Sequence, residues 1–553
     1  MWRQKEVQWP DLRIGDLFFV RGPGLAFSKH WRGIDKARWW RKLAPDMASR
    51  CPEMVLPQAY SEAMSEQGKE PDWAKKLPRC LEQDLRRSWL MGDDFDPLGI
   101  LPYRRDLGFS FAAQEGGVLE QVMHALHVFR LSYIRQLGFL HDPVAKEVEP
   151  FISMRGTAVG SMFPHTRWMH SLTVTATVSL MAYRARLSER EIRHLQVAAL
   201  THDVLTPAGG DTVKYVDPAA FDEDAHYSEI FQNNPEWEKV RDRWDLDEAL
   251  LTATVQGKGL LGHMLDIADK CSYIAHDLDA YLMYTDPRES QFRRVGGLVR
   301  MWEFREKVKH PVCALWEKTS VVDGEVVITD ARWFADFLMM RAMMFHHLYY
   351  NPHSRYREQM ICMLTVGPLY EDGLLTRDKL LVMVDWELEQ VLFRETGLRD
   401  LSFEMARADV APIVEEFPTL EEAGARARAM LLEQPTTLFM WEEFPPASAK
   451  AVQYLVKDSA GRVRPFCEAC PQEAEAILEL GRHQNPAKLY ILPERNVRNV
   501  LPEYFWKKLL ERQKERLGLV PPSPRVVQRG GWIDGMQLRF DPPMDFSSLL
   551  KDL

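Results

Sequence analysis

Residues 188–203 read Ser188-Glu-Arg-Glu-Ile-Arg-His-Leu-Gln-Val-Ala-Ala-Leu-Thr-His-Asp203. Ser188 and Glu191 stand three apart, the spacing of a capping box, and Leu187 is placed to staple the helix they open. Ile192, Leu195 and Ala199 then fall on one face. His202 lies three residues beyond Ala199 and seven beyond Leu195, so it extends that buried stripe. A His-Asp pair ending an apolar stripe needs partners, because an unpaired buried polar group costs about 1–3 kcal/mol. A divalent metal ion would supply one. The dipeptide occurs three times, as His141-Asp142, His202-Asp203 and His276-Asp277, and only the second continues a capped, buried helix. A histidine merely capped by its neighbouring carboxylate is the structural alternative.

Two flanking segments offer further ligands. Residues 167–184 are helical in pattern, with Val174, Val178 and Met181 on one stripe. His170 shares that face, and Arg167 lies one turn earlier. Residues 264–284 place Ile267, Cys271, Ile274 and Leu278 on an apolar stripe and Asp269, Tyr273 and Asp277 at i, i+4 and i+8 on another. Alone, the latter set also describes a solvated helix face. Together His170, His202, Asp203 and Asp269 present two nitrogens and two oxygens from three helices. That donor set suits Mn, Fe, Ni or Zn, and its carboxylates tolerate Mg.

The rest of the chain sets the frame. In 553 residues, 70 Lys and Arg face 80 Asp and Glu, a net charge of −10, which disfavours non-specific binding of nucleic acid or an anionic membrane by the whole chain. Seven cysteines are too sparse for a disulfide scaffold and suit a reducing cytosol. No apolar run reaches the ~18 residues of a membrane span, and the first ten residues lack a signal peptide's apolar stretch; the expectation is a cytoplasmic protein without membrane contact. Residues 1–110, rich in Trp and Pro, read as an irregular N-terminal region. Residues 111–395 form a mainly α core, with helices expected over 122–137 (ended by Gly138), 333–350 and 377–393 and a hairpin about Asp323-Gly324. Residues 203–225 read as a loop. Residues 396–553 form a smaller α+β region, with strands expected at 462–464 and 489–492 and helices at 419–432 and 470–481.

The order of these pieces resembles the HD-domain phosphohydrolases, and within them the deoxynucleoside triphosphate triphosphohydrolases. Phe129-Arg-Leu-Ser-Tyr-Ile-Arg-Gln-Leu-Gly138 is similar to that family's opening helix, Phe163-Pro-His-Thr-Arg-Trp-Met-His-Ser-Leu172 to its Arg-x-x-His-Ser-Leu motif, and Ala198-Ala-Leu-Thr-His-Asp203 to its HD motif. Asp269-Lys-x-x-Tyr-x-x-x-Asp277 resembles its closing metal and substrate residues. Arg341-Ala-Met-Met-Phe-His-His-Leu-Tyr349, with Pro352-His353 beyond, resembles a late helix serving the substrate. The resemblance implies an HD-type helical core binding a divalent ion through His170, His202, Asp203 and Asp269. It implies proton transfer by His226, phosphate contacts from Arg167, Lys270 and Arg341, and sugar contacts from Gln136, Tyr273, Asp277 and Tyr349. The implied reaction releases deoxynucleoside and triphosphate from a nucleotide substrate, in a homo-oligomer with room for a nucleotide effector.

One departure bears on the substrate. After Asp203 the family continues Gly-His-x-Pro-Phe-x-His, whereas this chain reads Val204-Leu-Thr-Pro-Ala-Gly-Gly-Asp211. The stretch to 225 adds Asp217, Asp222, Glu223 and Asp224, and like charges disfavour a triphosphate. Either this loop turns outward, or it holds a second cation, or the substrate carries fewer phosphates, as for a nucleotidase or a phosphodiesterase acting on a nucleic-acid end. A non-catalytic nucleotide-binding regulatory module is the reading from another class. Two features stand apart: Cys467-Glu-Ala-Cys470 with His483, too few ligands for a structural zinc site, and residues 488–529, where ten Lys and Arg against four Glu offer a surface for nucleic acid or an acidic partner, or simply a solvated helix face.

Overall fold

The computed structural model describes residues 101–102, 109–110, 117–138, 165–283, 311–350, 355, 358, 362–396, 413–442, 451–483, 487–492 and 503–519. Nearly all of the 1–110 region, His141-Asp142, Phe163-Pro164, Pro352-His353, the side chain of His483 and residues 520–529 lie outside the described residues.

In chain order, strands β1 (Leu101–Pro102) and β2 (Phe109–Ser110) precede helices α1 (Val118–Ala125), α2 (Arg167–Ala185), α3 (Glu189–Thr201), α4 (Gly210–Lys214), α5 (Glu223–His226), α6 (Pro235–Trp244), α7 (Glu248–Val255), α8 (Gly259–Met283) and α9 (Pro311–Lys318). The hairpin β3 (Thr319–Val322) and β4 (Glu325–Ile328) leads to α10 (Ala331–Met344), α11 (Gly367–Glu371), α12 (Arg377–Val382) and α13 (Asp385–Thr396). Then come β5 (Ile413–Phe417), α14 (Leu420–Glu433), β6 (Leu438–Glu442), β7 (Leu455–Lys457), β8 (Val463–Pro465), α15 (Phe466–Ala469), α16 (Pro471–His483), β9 (Ala487–Leu492) and α17 (Glu503–Arg516). The fold is mainly α with a smaller α+β C-terminal part.

Helix α2 is central, packed against α3, α8 and α9. Its Leu172–Val178 segment is buried on every side, and three of those residues are threonines. Helical β-branched residues with hydroxyls are tolerated there because each hydroxyl returns a hydrogen bond to the preceding turn: Thr173 to Met169 O at 2.9 Å, Thr175 to Ser171 O at 2.7 Å and Thr177 to Thr173 O at 2.8 Å. Helix α3 begins with both bonds of the capping box, Glu191 N to Ser188 Oγ and Ser188 N to Glu191 Oε2.

Three sequence expectations are corrected. The helix read over 122–137 stops at Ala125. His127 takes φ 51°, and a 3-10 turn, Val128–Tyr133, follows. That turn aims the Arg130 guanidinium at the carbonyls of Met383 (2.7 Å), Val204 (3.2 Å) and Thr206, and so anchors the segment after Asp203. The helix read over 377–393 breaks at Met383, because Asp385 accepts from the backbone of Arg135 (2.9 Å) and Gly209 (2.8 Å). The segment 203–225 is not plain loop, since it holds α4 and α5. Gly138 does mark a stop, for a tertiary reason: φ is +55° and a Cβ there would meet Gly209 O at 2.3 Å.

Two sheets bring in the C-terminal part. β7 runs parallel to β4 in a four-stranded sheet, β3-β4-β7-β8, so one sheet spans the boundary expected near residue 395. The second sheet, β5-β9-β6, is antiparallel. Its strands alternate faces. Leu489, Ile491 and Phe439 pack under α14, whereas Tyr490, Leu492, Leu438 and Met440 join the same core as α1–α13. This two-sided burial explains why β9 is buried along its whole length. No described helix is long and apolar enough to cross a membrane.

Candidate active site

The start of α2, the end of α3 and the middle of α8 converge. His170 Nε2 lies 2.9 Å from Asp269 Oδ1, His202 Nε2 lies 3.7 Å from the same oxygen, and the two Nε2 atoms are 3.3 Å apart. One ligand atom from each of the three lies within 4.8 Å of the other two. The His202 Nδ1 position, 2.8 Å from Ala199 O, suits donation to that carbonyl and turns the Nε2 lone pair toward Asp269. Two imidazole nitrogens converging on one carboxylate can share protons with it or, once deprotonated, surround a cation. Without an ion the charges compensate one another. Burial alone would lower the His202 imidazole, but Asp203 and Asp269 raise it to about 9. Burial would raise the Asp269 carboxyl, yet His170 and His202 hold it well below the usual carboxylate range. The donor set and its spacing fit a divalent metal, whose binding would displace the His202 proton.

Asp203 flanks this trio. Its oxygens lie 3.6 Å from His202 Nε2 and 3.8 Å from His170 Nε2, and Oδ2 accepts from Arg167 at 3.0 Å. Burial raises its carboxyl, and Arg167 with the two histidines more than reverses that. It is thus adjacent to the trio but shared with a guanidinium.

His202 and Asp269 open on a cavity of about 410 Å³ lined also by Gln136, Arg167, Asp203, Asp211, Tyr273, Asp277 and Tyr349, among others, while His170 is buried and outside its lining. A larger cleft of about 750 Å³, between β4, α10 and the β7–β8 turn, contains none of these residues. In the smaller cavity two guanidiniums, Arg167 and Arg355, face seven carboxylates: Asp203, Asp211, Glu223, Asp224, Asp269, Asp277 and Glu358. With His202 counted as neutral the formal excess is five negative charges, and a divalent ion on the trio would reduce it to three. Gln136 Oε1 and Arg167 Nε are buried and lack a hydrogen-bond partner among the described residues.

Of the courses considered from sequence, the outward turn is not taken: the segment turns inward, and two of its acids, Asp211 and Glu223, are met by cations already in place. Asp211 accepts from Arg167 at 2.6 Å and lies 3.0 Å from Lys214 Nζ. Glu223 accepts from Lys214 at 2.8 Å and from the Thr206 hydroxyl. Burial would raise the Asp211 carboxyl, but Arg167 and Lys214 keep it low.

Of the other residues singled out in the sequence, Gln136, Tyr273, Asp277 and Tyr349 line the cavity, and three do not. Lys270 is bound to Asp266 at 2.5 Å, one turn back on α8. Arg341 sits behind the wall: its Nε donates to Tyr273 at 2.8 Å and its guanidinium lies 4.6 Å over the Phe345 ring. His226 faces Glu229 Oε1 at 2.6 Å and Ala219 O at 3.0 Å. Asp277 already receives His165 Nε2 at 2.5 Å on one oxygen and the Tyr349 hydroxyl on the other. The preceding His276 turns instead to Thr173, at 2.8 Å.

Sequence reading missed His165, Lys214, Tyr215, Arg355 and Glu358. His165 lies within a motif quoted above, without a role. For Arg355 no spacing distinguishes it from Arg357. Elsewhere, Cys467 and Cys470 are free thiols outside any metal-ligating group among the described residues. Part of the basic run is engaged inside the molecule, since Lys508 and Arg512 on α17 bind Glu371 and Asp372.

No protein-family model and no curated protein matches the chain. Among solved structures, the chain is similar to a phosphohydrolase from Bacteroides thetaiotaomicron, with 15% identity and a TM-score of 0.49, over 70% of this chain and 97% of that one.

Proposed function

We propose that the protein is a metal-dependent phosphohydrolase acting on a nucleotide. The observation that carries this reading is the convergence of His170, His202 and Asp269, with Asp203 beside them, at the wall of a polar, aromatic-lined cavity. These four side chains would hold the ion, which when bound supplies Lewis acidity and an activated water. The remaining work belongs to the chain. Arg167, fixed between Asp203 and Asp211 in the cavity wall, would bring its guanidinium charge to a phosphate beside the ion. Gln136, in the cavity wall, would contact the sugar. Asp277 holds the Tyr349 hydroxyl, and Arg341 holds Tyr273, so the two rings stand as fixed walls for the nucleoside.

The number of phosphates separates two versions. The family resemblance favours a deoxynucleoside triphosphate. The engagement of Arg167 and Lys214 by acids, which leaves few cations free for phosphate oxygens, favours a substrate with fewer phosphates. Incubating the protein with Mn, Mg, Co or Ni and a series of deoxynucleoside mono-, di- and triphosphates, with products separated by ion-exchange chromatography, decides the matter. Metal-dependent release of inorganic phosphate from the monophosphate is expected. Inorganic triphosphate as product would restore the triphosphohydrolase version. Binding without turnover under every metal would replace the enzyme by a nucleotide-binding module.

A further inference from the structure

The C-terminal sheet touches residues in the wall of the same cavity. Arg355, only 2% exposed, is one of its two guanidiniums. It donates to Glu358 and, at 2.8 Å, to Glu442 Oε2 on β6, and its guanidinium lies 4.2 Å over the Tyr215 ring. Glu442 is itself held by the Tyr490 hydroxyl of β9 at 2.6 Å. Lys488, also on β9, donates to the carbonyl of Tyr350, another residue of the cavity wall, at 3.0 Å. Thr212 on α4 donates to the second oxygen of Glu358 at 2.7 Å, and its neighbour Asp211 binds Arg167. A single short helix therefore links two polar clusters, one around Arg167 beside the metal ligands and one around Arg355.

This division suits a nucleotide. The phosphate belongs with the metal ligands and Arg167. The Arg355 cluster is different in kind: a guanidinium donor beside a carboxylate acceptor, with Tyr215, Phe345 and Tyr350 in the same wall. Donor, acceptor and aromatic faces together match the hydrogen-bonding edge and flat surface of a nucleobase. Arg355 can serve only if its plane is fixed, and the groups that fix it from outside the helical core are on β6 and β9.

We propose that Arg355 and Glu358 contact the base of the nucleotide and that Glu442, supported by Tyr490, is a positioning residue that makes the C-terminal sheet part of the substrate pocket. This rests on the nucleotide reading above and adds to it the site of base recognition. The test is equilibrium binding to the full chain, with two probes: the four deoxynucleoside 5′-monophosphates, and 2-deoxyribose 5-phosphate, which keeps sugar and phosphate but has no base. Breaking a buried charge pair is expected to cost E442Q and R355K about tenfold or more in affinity for at least one nucleotide. Binding of deoxyribose phosphate and of Mn should stay within about twofold, and Glu442→Asp should recover part of the loss. Y490F, which removes one supporting hydroxyl, gives the same selective loss on a smaller scale and covers the case in which E442Q fails to fold. Equal loss for both probes, or no loss for either, overturns the proposal and leaves Glu442 a structural group. If the wild-type chain binds neither probe, the nucleotide reading itself falls.

Discussion

Asp203 and Asp269 are both set against the same two imidazoles, yet their surroundings differ. Asp269 is about one-third exposed toward the cavity, whereas Asp203 is buried and shared with Arg167. Replacing either by Ala is expected to abolish turnover, while Asp142→Ala leaves it intact. Equal loss in all three would mean that the wrong His-Asp pair was chosen. Lys270 carries the opposite expectation to the one the sequence resemblance implied. Its ammonium is bound to Asp266, so Lys270→Ala should leave KM within about twofold; a tenfold rise in KM, about 1.4 kcal/mol, would show that the lysine does reach the phosphate. The two histidines of the candidate site were legible because each extends an apolar helical stripe. Arg355 was not, because its partners Glu442 and Tyr215 are remote in sequence and only folding brings them together.

Helix α3 was the most legible element, since its cap and stripe are local. Ser188→Ala removes one side of the capping box and should lower stability by about 1 kcal/mol, read in chemical denaturation, with activity retained. The break after α1 was illegible because the apolar period runs on past His127; the chain leaves the helix so that Arg130 can anchor residues 204–206. The acidic segment was illegible for a related reason. Asp211 and Glu223 are compensated by Arg167 and Lys214, and pairing with an arginine more than forty residues away is tertiary. Gly138 tests this docking directly. Gly138→Ala adds a Cβ 2.3 Å from Gly209 O at φ +55°, so a loss of about 1–3 kcal/mol is expected. A stability unchanged in denaturant would mean that the 209–212 segment does not pack as described.

At the scale of the whole molecule, one apolar core runs from Val118 on α1 to Leu510 on α17. The mainly α character followed from the spacing of apolar residues, but the shared sheet did not, because the parallel pairing of β4 with β7 joins strands more than a hundred residues apart. A consequence is that the C-terminal part and the helical core should unfold in a single transition, read by calorimetry, with two separated transitions contradicting a common core. Metal binding acts on the same transition. An ion that binds only the folded chain, present at about a hundredfold excess over its Kd, adds about 2.7 kcal/mol. The most direct measurement is a titration of Mn into the chelator-treated full chain by calorimetry, repeated with His202→Ala and Asp269→Asn. One ion bound per wild-type chain and none in either variant is the expected result. Uptake that persists in both variants, or no uptake of any divalent transition metal by the wild type, would contradict a centre built from His170, His202, Asp203 and Asp269.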